Sequence, residues 1–235
     1  MRLLLISNST NAGEAYLEHP LQHIRTFLGK NPVNAAFVPY AGVTISFDEY
    51  TDRVKTRFSE IGHTIRSVHE SDNPLEVIEN ADVIVVGGGN TFHLVKLMQA
   101  NGLIDAIRKR VQSGTPYIGW SAGSNVACPS IRTTNDMPIV EPDSFNVINL
   151  IPFQINPHYL DANPEGHAGE TREMRIEEFI EANPGMFVVG LREGTMFLIE
   201  DGSIRLIGPR PARIFKKDIK PYELEPGADF SFLMH

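Results

Sequence analysis

The chain has a single cysteine, Cys128, and therefore cannot form an internal disulfide. One thiol in a chain of this length suits a reducing cytoplasm. No apolar run approaches the roughly 20 residues that a helix needs to cross a bilayer, so we expect no membrane-spanning segment. The first eight residues contain too few apolar side chains for a secretory signal peptide. Together these absences predict a cytoplasmic protein.

Positive charge is also scarce. The chain has 21 Lys and Arg against 29 Asp and Glu, a formal net charge of −8, and no block of basic residues. Because nucleic-acid affinity comes largely from neutralising phosphates, this balance argues against a nucleic-acid partner and against an anionic membrane surface. A length of 235 residues, with 42% hydrophobic and 21% charged, predicts one globular domain over residues 1–235 that acts on a small molecule. The composition says nothing decisive about the oligomeric state.

Apolar segments alternate with stretches of helical periodicity along most of the chain. The run Val83-Ile84-Val85-Val86 is continuous, as expected of a central parallel strand that is buried on both faces. Repeated strand–helix units predict an α/β fold with a mostly parallel, flavodoxin-like sheet, helices on both faces and an antiparallel C-terminal edge. Strands are predicted at 2–7, 34–39, 63–68, 81–86, 116–120, 153–156, 186–191, 195–200, 203–207 and 212–216, and helices at 47–61, 74–79, 91–100, 103–112 and 171–182.

The pentapeptide Gly119-Trp120-Ser121-Ala122-Gly123 directly follows a predicted strand. A serine on a tight strand-to-helix turn is held in a strained conformation, and flanking glycines remove side chains that would clash. Its hydroxyl then projects over the carboxyl edge of the sheet. The backbone N–H of Ala122 points to where an oxyanion would form. This arrangement favours Ser121 as a nucleophile, and the alternative is a plain glycine-rich turn between strand and helix.

A second glycine-rich turn, Gly87-Gly88-Gly89-Asn90-Thr91, follows the buried strand at 81–86. Three glycines allow backbone N–H groups to approach a ligand closely. The pattern does not match the dinucleotide-binding fingerprint, so no nucleotide or other cofactor is predicted. We interpret Gly89 as a second oxyanion donor, although the turn would equally suit a simple tight connection.

A serine nucleophile needs a base and an acidic group that orients the base. His158 lies just past a predicted strand, which would bring it to the same carboxyl edge as Ser121. Asp136, in the loop beyond the nucleophile, and Glu193, after the strand at 186–191, are both candidates for the orienting acid. Spacing alone does not decide between them.

A metal site is the competing interpretation. His158, Asp161, His167 and Glu170 form an H-x₂-D…H-x₂-E cluster in a polar loop, and such side chains bind divalent metals. The spacing matches no motif of known mechanism, so we predict no metal and keep a metal-dependent hydrolase as an alternative.

Longer motifs resemble the peptidase E family of α-aspartyl dipeptidases. They include the segment from Gly119 to Asn125, the turn from Val86 to Phe92 and the stretch from Thr133 to Ile139. Ile155-Asn156-Pro157-His158 and the segment from Gly166 to Glu173 complete the match, apart from Ala168. The likeness runs from Leu3 to at least Gly194.

This resemblance implies a cytoplasmic serine peptidase with a fold like class I glutamine amidotransferases, hydrolysing dipeptides with an N-terminal aspartate. It implies Ser121 as nucleophile and His158 as base, with Asp136 and Glu193 both at positions that the family singles out. Selecting an aspartyl side chain requires a cation, and Arg172 in the matched Thr-Arg-Glu segment is our candidate, ahead of Asn90 and Arg175. The alternatives are a solvated helix face for the two arginines, and a cyanophycinase-like enzyme acting on β-aspartyl bonds.

Overall fold

The computed structural model describes residues 1–162, 166 and 169–235. Every predicted strand and helix is present, and no bound differs by more than two residues. The strands are β1 (Arg2–Ile6), β2 (Asn34–Val38), β3 (Thr64–Ser67), β4 (Val83–Val86), β5 (Tyr117–Trp120), β6 (Gln154–Pro157), β7 (Val188–Leu191), β8 (Met196–Glu200), β9 (Ser203–Ile207), β10 (Ala212–Lys216) and β11 (Ile219–Leu224). The α-helices are α1 (Glu18–Leu28), α2 (Phe47–Glu60), α3 (Pro74–Glu79), α4 (Thr91–Ala100), α5 (Leu103–Gln112), α6 (Ala122–Asn125) and α7 (Arg172–Ala182).

Seven strands form the larger sheet, in the order β3-β2-β4-β5-β1-β8-β9. The first five are parallel, while β8 and β9 are antiparallel and form one edge. Side chains of β4 alternate between two apolar clusters: Val83 and Val85 pack with α1 and α2, whereas Ile84 and Val86 pack with α3, α4 and α5. The mostly parallel sheet with helices on both faces is therefore confirmed.

A second sheet, in the order β11-β10-β7-β6, is a feature that the sequence does not predict. Strands β6 and β7 are parallel neighbours, and β10 and β11 are antiparallel additions. One face of this sheet shares an apolar cluster with the larger sheet, and the other packs on α7. The expectation of one sheet that contains all the strands is thus wrong for β6, β7 and β10. Apolar runs identify strands but carry no information about which sheet each strand joins.

Helix α1 and strand β11 are two elements that the sequence does not predict. Helix α1 begins after Leu17, which has a left-handed backbone (φ 53°) and forms no side-chain cap, and Pro20 lies in its first turn. Strand β11 contains Pro221 and has no fully buried residue. Helix α1 therefore lacks the cap that marks a helix start, although its apolar residues keep a helical spacing, and strand β11 lacks an apolar run. Among the residues that the structure describes, no helix combines the length and apolar character needed to cross a membrane.

Candidate active site

Ser121 occupies a strained turn between β5 and α6. Its backbone has φ 53° and ψ −113°, a conformation that an L-residue rarely adopts. The flanking glycines are required by close contacts: a Cβ on Gly119 would lie 2.4 Å from the carbonyl oxygen of Gly123, and one on Gly123 would lie 2.1 Å from that of Val86. The turn therefore has the local geometry of a nucleophile elbow.

His158 lies beside this serine, with its Nε2 atom 2.9 Å from Ser121 Oγ. It follows β6 and also has a left-handed backbone, with φ 53°. From the sequence we expect His158 at the carboxyl edge of the same sheet as Ser121, but β6 belongs to the second sheet. The two side chains meet because the carboxyl ends of β5 and β6 converge across the junction of the two sheets.

The structure separates the two candidate acids. Glu193 Oε1 lies 2.7 Å from His158 Nδ1, because β6 and β7 are paired with Pro157 opposite Leu191 and their exit loops are adjacent. Asp136 is bound elsewhere: its Oδ2 accepts hydrogen bonds from the Thr91 N–H (2.7 Å), the Thr91 hydroxyl (2.5 Å) and the Thr134 hydroxyl (3.1 Å). Glu193 is thus the acid in contact with the imidazole.

Two polar residues that the sequence analysis did not single out hold these loops in place. Ser7 accepts a hydrogen bond from the His158 N–H (2.9 Å) and donates one to the Leu191 carbonyl (2.7 Å). The next residue, Asn8, accepts a hydrogen bond from the Gly194 N–H (2.8 Å). Both follow β1 at the carboxyl edge of the larger sheet. In the sequence, the feature that could have identified them is a pair of polar residues directly after an apolar strand.

The glycine turn after β4 packs directly against the serine. A Cβ on Gly88 would lie 2.9 Å from Ser121 Cβ, and Gly89 has φ +136° with Ala41 so close that a Cβ would meet its carbonyl oxygen at 2.2 Å. Tyr50 donates a hydrogen bond to the Gly88 carbonyl (2.9 Å) and accepts one from Trp120 Nε1 (3.2 Å).

These hydrogen bonds fix the orientation of the peptide that joins Gly88 to Gly89. In a trans peptide the N–H points away from the carbonyl of the same unit, so the Gly89 N–H is directed away from Tyr50. No acceptor for the N–H of Gly89 or of Ala122 is found in the described part of the chain. Both groups are therefore available to a ligand beside Ser121.

Arg172 lines a cavity of about 340 Å³ together with Ser121, Asp136, His158 and Glu193. Its Nη1 donates to the Pro157 carbonyl at 3.3 Å. Burial lowers the pKa of its guanidinium, and the charges of Glu193 and Asp136 oppose that shift. An arginine remains cationic under such conditions, so the cavity contains a fixed positive charge.

The other two specificity candidates lie in different environments. Arg175, one turn further along α7, is exposed and forms an ion pair with Glu170 at 3.6 Å. Asn90 caps α4 by accepting from the His93 N–H (3.0 Å), and its amide donates to the Met137 carbonyl (2.9 Å). It lines a second cavity, of about 710 Å³, which adjoins the first at Ser121 and His158.

Asp161 and Glu170, the two carboxylates of the alternative metal cluster, are bound by arginines. Asp161 accepts a hydrogen bond from Arg192 Nε (3.1 Å), and Glu170 pairs with Arg175. His167 lies outside the described residues. Within the described part of the chain, no group of three or more His, Cys, Asp or Glu side chains is arranged to hold a metal ion.

Cys128 lies seven residues beyond Ser121 and is fully buried. Burial raises the pKa of its thiol to about 12, and the Ile155 N–H donates to its sulfur at 3.2 Å. The thiol is therefore protonated at neutral pH and is a packing group.

Comparisons with known proteins show which family and fold the chain is similar to. Residues 3–207 match the model of peptidase family S51. A peptidase E from Nostoc sp. (strain PCC 7120) is 52% identical over 233 residues, covering 99% of this chain and 96% of the relative. A peptidase E from Salmonella typhimurium (strain LT2) is 47% identical over 230 residues, covering 98% and 100%. The crystal structure of a peptidase from an acI-B1 actinobacterium has the same fold, with a TM-score of 0.68 at 18% identity, covering 98% of this chain and 96% of that one.

Proposed function

The chain belongs to peptidase family S51 and is a serine-type peptidase, and from that premise we propose that it hydrolyses dipeptides with an N-terminal aspartate. In this proposal Ser121 is the nucleophile, His158 the base and Glu193 the acid that orients the base. The observation that carries the proposal is the continuous contact from Ser121 Oγ to His158 Nε2, and from His158 Nδ1 to Glu193 Oε1, beside a cavity that contains Arg172.

The first half of the reaction forms an acyl-enzyme. An ionised carboxylate only accepts hydrogen bonds, so Glu193 fixes the tautomer of His158 with the proton on Nδ1 and leaves Nε2 free to accept one. As Ser121 Oγ attacks the scissile carbonyl carbon, Nε2 takes the hydroxyl proton. It then delivers that proton to the leaving amine as the peptide bond breaks.

The N–H groups of Gly89 and Ala122 stabilise the tetrahedral intermediate in this proposal. Both lie beside Ser121 and have no acceptor among the described residues, which leaves them free for the oxyanion. Each such donor is worth about 3 kcal/mol of transition-state stabilisation. Tyr50 acts through the peptide between Gly88 and Gly89 and is a positioning residue.

The second half of the reaction releases the aspartate. A water molecule loses one proton to His158 Nε2 and attacks the ester carbonyl carbon, and the same oxyanion donors bind the second tetrahedral intermediate. When the carbon–oxygen bond to Ser121 breaks, Nε2 returns the proton to Oγ. The net reaction consumes one water and needs no cofactor.

Arg172 supplies the specificity for aspartate. A guanidinium offers two parallel N–H donors that match a carboxylate, and partial burial strengthens that pairing relative to a solvent-exposed pair. The cavity is polar and small, as expected of a site for a single charged side chain. We place this activity in the cytoplasm, which is supported by the single buried cysteine.

A substrate panel tests the proposal. We expect the wild-type protein to hydrolyse Asp-Leu, and to act at least about 100-fold less efficiently on Asn-Leu, which lacks the carboxylate that pairs with Arg172. Arg172→Ala is expected to remove most of this preference, whereas Arg175→Ala, on the exposed side of the same helix, serves as the matched control. Glu-Leu and β-Asp-Leu complete the panel, and the latter distinguishes the β-aspartyl alternative.

Two results would contradict the proposal. Equal hydrolysis of Asp-Leu and Asn-Leu by the wild-type protein would exclude recognition of the carboxylate. An equal loss on every dipeptide in Arg172→Ala would show that this arginine has a general structural role instead.

A further inference from the structure

The cavity beside Ser121 contains a negative charge that the relay does not use. Asp136 lines this cavity and also the larger one on the other side of Ser121 and His158. It is the acid that does not contact His158, and no ion pair to it is found within the described residues. Its position in front of the nucleophile therefore calls for a different role.

The hydrogen bonds of Asp136 are unevenly divided between its two oxygens. All three donors, the N–H and hydroxyl of Thr91 and the hydroxyl of Thr134, bind Oδ2. Oδ1 accepts no hydrogen bond from any described residue. The carboxylate is thus held rigidly by one oxygen at the first turn of α4, and its other oxygen is free to accept a hydrogen bond from a ligand.

Asn125 provides a second, independent indication of a missing donor. It lines the same cavity from α6 and is 1% exposed. Its Oδ1 is buried without a hydrogen-bond partner in the described part of the chain. Buried acceptors are normally paired, so a ligand N–H is the expected partner for this oxygen.

A peptide with an N-terminal aspartate carries two opposite charges close to its scissile bond. The β-carboxylate matches Arg172, and the α-ammonium, one carbon away from the scissile carbonyl, needs anionic or neutral acceptors in the same cavity. We propose that Asp136 Oδ1 binds the α-ammonium group of the substrate, with Asn125 Oδ1 as an additional acceptor. This inference rests on the proposed aspartyl dipeptidase activity and names the feature that restricts it to free N-termini.

The proposal also gives each charged side chain of the cavity a partner of its own. Glu193 is committed to His158 Nδ1, whereas Asp136 and Arg172 face the bound residue from different elements, the loop after α6 and helix α7. A substrate with a blocked amine would leave Asp136 without its counter-charge. It would also place a neutral acyl group against a carboxylate.

The test compares two chromogenic substrates, L-aspartyl p-nitroanilide and its N-acetyl derivative. We expect the wild-type protein to prefer the free amine by at least about 100-fold in kcat/KM, the effect of losing one partner of a buried charge pair. Asp136→Asn is expected to reduce this preference to below about 5-fold, by lowering kcat/KM for the free amine alone. Glu141→Gln, an exposed carboxylate in the same loop, is the matched control and should keep the wild-type ratio.

The outcomes separate this inference from the proposed function. If the wild-type protein hydrolyses both substrates equally well, Asp136 does not select for an ammonium group, whereas the aspartyl activity stands. If Asp136→Asn loses activity equally on both substrates, Asp136 serves the chemical step and the inference is wrong. If neither substrate nor Asp-Leu is hydrolysed, the proposed function fails and this inference with it. The wild-type ratio needs no variant, so a folding defect in Asp136→Asn cannot obscure the answer.

Discussion

The two sheets contribute to the site in different ways. The larger sheet supplies Ser121 and the glycine turn. The turn at Ser121 is formed by residues contiguous in the chain and packed on the adjacent parallel strand β4, while Tyr50 from α2 holds the glycine turn. The smaller sheet supplies His158 and Glu193, and their loops are held by Ser7 and Asn8 from the end of β1. The nucleophile is therefore built locally, whereas the base and its acid depend on contacts between residues about 150 to 190 positions apart.

The largest loss of activity is expected from replacing Glu193, the acid that the smaller sheet contributes. Glu193→Gln keeps the shape of the side chain but removes the carboxylate that fixes the tautomer of His158. We expect kcat for Asp-Leu to fall by about 10³- to 10⁴-fold with KM nearly unchanged, as when the acid of a serine-protease triad becomes an amide. The measurement is steady-state kinetics at saturating substrate.

Asp136→Asn is the companion variant, because Asp136 is bound to Thr91 at the start of α4, a helix that packs on the larger sheet. Its loss is expected mainly in KM, since an interaction made equally in the ground state and the transition state leaves kcat unchanged. Equal losses of kcat in Glu193→Gln and Asp136→Asn would mean that both acids act in the chemical step, contrary to the separate roles proposed for them.

The next effect concerns the bridge between the sheets. Ser7→Ala removes the acceptor of the His158 N–H and the donor to the Leu191 carbonyl, so the histidine loop is no longer anchored to β1. We expect kcat to fall by about 10- to 100-fold, because a displacement of the His158 imidazole by up to about 1 Å weakens its alignment with Ser121. The loss of buried hydrogen bonds also lowers the free energy of unfolding by about 1–3 kcal/mol.

Ser67→Ala is the matched control for this prediction. Ser67 is equally buried and also donates to a carbonyl, that of Phe37, but it lies at the end of β3 on the far edge of the larger sheet. Its replacement should lower the melting temperature without lowering kcat. A similar loss of kcat in both variants would show that Ser7 acts through general stability and not by positioning His158.

The smallest effect is expected at Cys128. Its thiol is fully buried with a pKa of about 12, so below that pH it stays protonated and unreactive. Iodoacetamide at neutral pH should leave the activity of the native protein unchanged, and mass spectrometry should find Cys128 unmodified. Rapid inactivation with alkylation of this thiol would contradict the packing role.

The same contrast explains what could be read from the sequence. Ser121 was recognisable because its strand, its turn and its glycines are contiguous in the chain, and the larger sheet because its buried strands are continuous apolar runs. The assignment of β6 and β7 to a second sheet was not recognisable, since a strand pattern does not identify its neighbours.

For the same reason, part of the site could not be predicted from the sequence. His158 and Glu193 were candidates, but no spacing rule distinguishes Glu193 from Asp136, because the choice depends on the pairing of β6 with β7. Ser7 is the last residue of the predicted strand at 2–7 and Asn8 the polar residue after it, and their partners are distant in the chain. Tyr50 lies within the predicted helix at 47–61, and nothing in the sequence indicates that its hydroxyl holds the glycine turn.

The most direct test of a relay that spans both sheets is the rate at which diisopropyl fluorophosphate labels the protein. The account predicts one equivalent of label on Ser121, a rate about 100-fold lower in Glu193→Gln, and a near wild-type rate in Asp136→Asn, because this reagent has no ammonium group. Labelling of a different residue, or equal rates in the wild-type protein and Glu193→Gln, would contradict it.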